Sequence, residues 1–208
     1  MKPRRRGASA GGRPRAFDVD KALDRAVRVF WRQGYQGTSL SDLTRAMGIN
    51  RPSLYGAFGD KKALFRKALD RYAAGPGAYA REALSAPTAR EVVERLLRGA
   101  VDCFADPGNP PGCLLVLGAL ACGPDASPAR KELAARRSAA TAALRRRLRR
   151  AKAAGDLVAD ADPAHLASYV VTVVHGMAVQ AAGGARRAEL RRIVQTALRA
   201  WPARDGAP

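Results

Sequence analysis

The sequence predicts an all-α fold, and three observations predict it. Apolar residues recur at spacings of three and four along most of the chain, the period of a helix with one buried face. No long alternation of Val, Ile and Thr appears, and aromatic residues make up only 6%, so the pattern of half-buried strands is missing. The chain also carries 44 Ala, the residue with the highest helix propensity. At 208 residues and 47% apolar content it can bury a core. Composition therefore excludes a disordered chain, a collagen-like one and a disulfide scaffold.

Taken in order, residues 1–14 form a basic arm rich in Gly and Pro, without helical period and expected to be disordered when unbound. Asp18 then caps a first helix. Val19, Leu23, Ala26, Val27 and Phe30 form its apolar stripe, and Gly34 ends it. Ser39 caps a short helix with Leu40, Leu43 and Met47 inward, closed by Gly48. The turn is only Gly48-Ile49-Asn50. Asn50 caps the next helix, where Pro52 falls in the tolerant first turn and Ile49 and Leu54 hold the two positions of a hydrophobic staple. Leu54, Tyr55 and Phe58 continue that helix inward to Gly59, and Asp60 caps a fourth one whose buried face is Leu64, Phe65, Ala68, Leu69 and Tyr72.

Ala74-Gly75-Pro76-Gly77 marks the expected boundary between a head, residues 15–75, and a body, residues 76–208. In the body the periodicity predicts a helix over Thr88–Phe104, a rigid loop from Asp106 to Pro111, and a central, nearly uncharged segment over Gly112–Cys122. A long helix follows over Pro128–Lys152, then a final pair over Pro163–Ala182 and Arg186–Trp201, separated by Gly183-Gly184. The architecture expected is a three-helix head joined by a fourth helix to a larger helical body, about nine helices.

Charge narrows the function. Lys and Arg total 37 against 18 Asp and Glu, net +19, which points to a polyanionic partner. The excess of Arg over Lys beside so much Ala also has the look of GC-rich coding, yet the charge is unevenly placed. Residues 1–75 carry 17 bases and 6 acids, whereas residues 76–208 carry 20 and 12 over nearly twice the length. The head is where a polyanion would bind. Three widely spaced Cys (103, 113 and 122) argue against a stapled secreted fold, and the basic start lacks the apolar stretch of a signal peptide. Residues 166–182 fall short of the about 20 apolar residues of a membrane span. A cytoplasmic protein with no membrane partner is expected.

Two short amphipathic helices joined by a three-residue turn containing Gly form a helix-turn-helix pattern. Such a turn sets the second helix at a steep angle, so that its N-terminal residues project toward a major groove. Residues 15–75 resemble the TetR/AcrR family of bacterial transcriptional regulators. The resemblance is carried by Gly37-Thr38-Ser39, Leu43, Ala46, Gly48-Ile49, Ser53-Leu54-Tyr55, Phe58, Lys61 and Leu64-Phe65. In the body, Pro111-Gly112-Cys113-Leu114-Leu115 is similar to a Gly-Cys-Leu motif of some branches, where that thiol can sense oxidants or electrophiles. The resemblance implies a homodimer whose two heads read a palindromic double-stranded DNA operator, with recognition helices roughly 34–36 Å apart. It implies a repressor released when a small-molecule effector, or modification of a thiol, favours the other body conformation.

Each site residue has two readings. Arg51 and Ser53, at the start of the recognition helix, are placed at base edges, where Arg can donate twice to guanine; Arg51 on a phosphate is the alternative. Tyr55 resembles the family tyrosine that reaches the DNA backbone, and a core role stands beside that. Thr38, Ser39 and Lys61 lie at helix starts that suit phosphate, and capping by Ser39 is compatible with this. Asn50 and Pro52 belong to the same edge, and Gly56 admits a close backbone approach. Arg4, Arg5, Arg6, Arg13 and Arg15 track a phosphate ridge or enter a minor groove, or else form a solvated tail. The run Arg145-Arg146-Arg147 with Arg149-Arg150 is a second DNA surface or, the preferred reading, a solvated outer face, since Leu144 and Leu148 keep one stripe apolar.

An effector pocket in the body is assigned to Phe104, Cys113, Leu117, Tyr169, Val173 and His175. Cys113 is a sensor or a small buried hydrophobe, and its sequence neighbours include no base to activate it. Cys103 and Cys122 read as structural. His165 and His175 have no partner at metal-ligand spacing, so neither a metal nor another cofactor is expected. No nucleophile elbow, P-loop or glycine fingerprint is present, so catalysis is not expected. The alternatives are a small-molecule-binding or thiol-dependent enzyme with an incidental basic N-terminus, and a general architectural DNA binder.

Overall fold

The computed structural model of the chain describes residues 17–120 and 127–202. Those residues form ten α-helices and one 3-10 turn, with no strand among them. The head contains α1 (Val19–Gln33), α2 (Leu40–Met47), α3 (Arg51–Phe58) and α4 (Lys61–Ala74). The remainder contains α5 (Tyr79–Glu82), the 3-10 turn Ala83–Ser85, α6 (Ala89–Phe104), α7 (Leu114–Leu120), α8 (Ser127–Ala153), α9 (Pro163–Ala182) and α10 (Arg187–Arg199).

The helix starts follow the local chemistry. Side chains of Asp18, Ser39, Asn50 and Asp60 accept from the backbone N–H three residues on, each satisfying a donor that the helix leaves unpaired. A cap of this kind contributes about 1 kcal/mol. Ser39 and Asp42 complete a reciprocal capping box. Thr88 and Asp162 cap α6 and α9, accepting from Glu91 N–H and Ala164 N–H. The short α5 and the 3-10 turn were not expected, because four residues after a Gly-Pro break show no readable period.

Packing joins the head to the body. α1 lies against α2 and α4, held by Phe30, whose ring meets Phe65 edge-on at 5.0 Å, and by Tyr35, 5.0 Å from Phe65. α6 packs on α9 and α10, α8 runs along α9, and α7 bridges α8 and α1. Buried side chains form one continuous core from Phe30 and Leu54 through Leu97 and Leu114 to Val170 and Leu190. Ion pairs add to the junction: Arg136 of α8 reaches Asp70 of α4 at 2.8 Å, and Glu132 of α8 reaches Arg66 at 3.4 Å.

The Arg-rich face of α8 needs a correction at one residue. Leu144 and Leu148 are buried as their stripe requires. Arg147 is not simply solvated: half-buried, it donates to the carbonyls of Leu84, Ala86 and Pro87 at 3.2, 2.8 and 2.8 Å. Those carbonyls close the irregular stretch before α6, so Arg147 caps a loop from across the molecule. The basic arm with Arg4, Arg5, Arg6, Arg13 and Arg15 lies outside the described residues, as does Cys122.

Candidate nucleic-acid interface

The turn between α2 and α3 is set by one glycine. Gly48 has φ 71°, in the left-handed region, and its N–H closes α2 on the Thr44 carbonyl. A side chain there would be strained in any case and would crowd the Arg25 guanidinium at 3.3 Å. Asn50 then restarts the chain as α3, accepting from Ser53 N–H at 2.8 Å. Leu54 and Phe58 bury one side of α3, which leaves the opposite side outward.

That outward side carries the expected residues. Asn50, Arg51, Pro52, Tyr55 and Gly56 are exposed and Ser53 is half-buried. Tyr55 is 48% exposed, which removes the core reading for its side chain. Beyond a Cβ added at Gly56 there is open space. The Arg51 guanidinium is steadied by the Ser41 hydroxyl, to which it donates at 3.2 Å. Ser39 is exposed at the start of α2, its hydroxyl accepting from Asp42 N–H and donating to the Asp42 carboxylate. That hydroxyl and the Ser39 backbone N–H, both donating to the carboxylate, hold the Asp42 carboxyl below its ordinary range.

Two of the expected phosphate contacts sit differently. Thr38 is buried, with its hydroxyl donating to the Gly34 carbonyl at 2.6 Å. Its side chain therefore fixes the α1–α2 turn and faces away from the surface that α3 presents. Lys61 is half-buried, with its ammonium 4.5 Å from the centre of the Tyr35 ring, and burial lowers its pKa. It stands at the first residue of α4, where the helix dipole also favours an anion.

The six residues assigned to an effector pocket are more scattered. Phe104 and Cys113 are buried, Leu117, Val173 and His175 are half-buried, and Tyr169 is 40% exposed on the outer side of α9. Two cavities, of about 350 and 330 Å³, lie elsewhere. One is between α1, the end of α4 and Asn109; the other is between α6 and α10, and neither includes any of the six. Burial and the nearby Arg137 charge lower the pKa of His175. Among the described residues no group of three metal-ligating side chains occurs, and no helix is long and apolar enough to cross a membrane.

Comparison with known proteins agrees with this geometry. The family described as "Bacterial regulatory proteins, tetR family" matches residues 22–68, from within α1 to within α4. The "Tetracyclin repressor-like, C-terminal domain" matches residues 89–197, more than half of the chain. The HTH-type transcriptional repressor ComR of Escherichia coli K12 is 33% identical over 193 residues, 92% of each chain. The chain belongs to the TetR family. It is a helix-turn-helix transcriptional regulator and not an enzyme. A TetR-family regulator, CifR, solved as a cysteine mutant with 26-base-pair operator DNA, is 49% identical with a TM-score of 0.87, covering 92% of this chain and all of its own. A TetR regulator from Rhodococcus sp. RHA1 is 43% identical with a TM-score of 0.63, covering 88% of this chain and 98% of its own.

For this TetR-family member the residues that sequence reasoning missed are those joining head to body. Arg28 of α1 donates to the Gly108 carbonyl at 2.7 Å across 80 positions of sequence. Tyr72, read only as a buried apolar position, meets Trp31 edge-on at 4.7 Å and places its hydroxyl against two cysteines. Ser41 was not singled out either. Nothing local marks these residues, because each acts through a partner distant in the chain.

Proposed function

We propose that the chain acts in the cytoplasm as a homodimeric repressor, its two heads (residues 15–75) reading the half-sites of a palindromic operator. The observation that carries this reading is the outward side of α3, where Arg51, Pro52, Ser53, Tyr55 and Gly56 gather beyond a turn set by Gly48. Arg51 and Ser53 read base edges and Tyr55 reaches the DNA backbone. Ser39, Asn50 and Lys61 line the phosphate edge, with Thr38 acting only by fixing the turn that leads into α2. The basic arm adds phosphate or minor-groove contacts.

The body, residues 76–208, dimerises and senses. α9 contains no Asp, Glu, Lys or Arg, and the exposed Tyr169 and Val179 lie along it, with open space beyond Gly176. Exposed apolar side chains on an uncharged helix favour a partner copy. An apolar or amphipathic effector acting near Phe104, Leu117, Val173 and His175, or modification of a thiol, favours the body conformation whose head spacing no longer fits DNA.

Selection of bound sequences from a random double-stranded library at near-physiological salt tests this reading. One palindrome with two half-sites is expected, bound with an affinity that falls steeply as salt rises. Weak, unpatterned enrichment overturns it and leaves a non-specific anchor.

A further inference from the structure

The cavity of about 350 Å³ between α1, the end of α4 and the loop before α7 is walled by both parts of the molecule. The head supplies Val27, Arg28 and Trp31 from α1 and Arg71 from α4, and the body supplies Pro76 and Asn109. Val27 and Trp31 are buried and form its floor, while Asp24 and Arg28 are exposed at its rim. Small-molecule sites usually measure about 300–1,000 Å³, so there is room for a compact ligand. None of the residues assigned above to an effector lines it.

The lining has donors to spare. Trp31 is 3% exposed, and its indole Nε1–H has no hydrogen-bond partner, alone in this among the buried side-chain polar atoms of the described residues. A buried tryptophan N–H normally finds an acceptor, so an orphan beside a cavity points to an acceptor that enters from outside. Arg28 gives one bond to the Gly108 carbonyl at 2.7 Å and pairs with no carboxylate among the described residues. Asp24, the acid of the lining, is already taken. Arg71 donates to both its oxygens, at 2.7 and 3.0 Å, and also reaches Asp20 at 3.3 Å. What remains is one cation and one neutral donor over the apolar surface of Val27, Pro76 and the Trp31 ring. That set matches a carboxylate carried on a small apolar body, whereas a cationic ligand would face Arg28 and a donor it cannot use.

We propose that this junction cavity binds a small organic carboxylate and that its occupation weakens operator binding; the weakening rests on the repressor reading above. The carboxylate accepts from Trp31 Nε1–H and from the Arg28 guanidinium. A charged acceptor makes a stronger bond than the neutral Gly108 carbonyl, so it draws Arg28 off that carbonyl. The Arg28–Gly108 bond ties α1 to the loop of residues 105–112, whose shape Asp106 holds by accepting from Gly108 N–H at 2.8 Å and from the Asn109 amide at 3.0 Å. Loosening that tie lets α1 and α4 turn against the body. Ligand and operator then prefer different placements of the head, and each weakens the binding of the other.

The test uses the full chain with benzoate as the probe, benzamide as its uncharged counterpart, and inorganic phosphate as an anion without an apolar body. The chain has two tryptophans, Trp31 and Trp201, so nitrogen-labelled protein gives two indole N–H signals, assigned with Trp31→Phe. Benzoate should shift the Trp31 signal saturably and leave that of Trp201 in place. Benzamide and phosphate should bind more weakly by about tenfold or more, and Arg28→Gln, a change at an exposed position, should weaken benzoate by a similar factor. At constant ionic strength, saturating benzoate should lower affinity for the selected operator by about fivefold or more. A Trp31 signal that stays in place, or that responds alike to benzamide or phosphate, overturns the proposal. So does undiminished benzoate binding by Arg28→Gln, or saturation that leaves operator affinity unchanged. Probe-free protein that selects no operator overturns the repressor reading and the coupling to it, while the indole titration still decides whether the cavity binds a carboxylate.

Discussion

Arg51 is held in place before DNA arrives. Its bond to the Ser41 hydroxyl holds a guanidinium at the first residue of α3, on the edge proposed above to meet a major groove. A preorganised two-donor fork loses less freedom on binding than a swinging one. Arg51→Ala is expected to weaken operator binding by about 1–3 kcal/mol and to flatten preference at one base pair per half-site, seen by repeating the library selection. A uniform loss across sequences would place Arg51 on phosphate instead. His175 supplies a pH dependence in the body. Its folded pKa is below the usual 6.5, so the unfolded chain takes the proton more readily. Its contribution to stability is full above 6.5 and is lost as pH falls through the lowered folded value. Urea midpoints compared across that window should fall more steeply for the native chain than for His175→Leu.

Among the elements, α8 differs most from its sequence pattern. Its Arg run has the alternation of a solvated face, and Leu144 and Leu148 bear that out. Arg147 departs from it because three carbonyls of the loop before α6 lie within its reach, a fact set by the path of α5 and the 3-10 turn. Arg147→Ala should cost about 1–2 kcal/mol in thermal or urea unfolding, since charged hydrogen bonds to a partly buried loop are lost. Arg145→Ala, on the exposed side of the same helix, should stay within about 0.5 kcal/mol. Equal effects would return Arg147 to the solvated class. The caps of α1 to α4 were legible because Asp18, Ser39, Asn50 and Asp60 act on N–H groups three residues away.

For the whole molecule, the dimer proposed above sets the two heads through the surface of α9. Tyr169→Asp puts a charge on its exposed apolar side and should convert dimer to monomer in sedimentation analysis. Cooperative binding to the full palindrome should vanish, while a single head keeps weak, salt-sensitive affinity for DNA. A Tyr169→Asp protein that stays dimeric would place the interface elsewhere. The ion pairs from α4 to α8 and the Arg28–Gly108 bond join the head to the body, and the proposed effector response would reach α3 through them by way of α1 and α4.

By itself the sequence determined the all-α class, the order and caps of the head helices and the Gly48 turn, whereas the outward place of Tyr55 came from the structure. What the sequence determined depends on helical period, on capping within three residues and on one backbone conformation, all of which act at short range. Tertiary structure decided what lies across the chain: that Arg147 closes a distant loop, and that Tyr72 stands between Cys103 and Cys113. Those contacts span from 31 to more than 60 positions in the case of Tyr72 and Arg147, and no local pattern encodes which surfaces meet there. Their geometry is fixed only when α1, α4, α6 and α7 share one core.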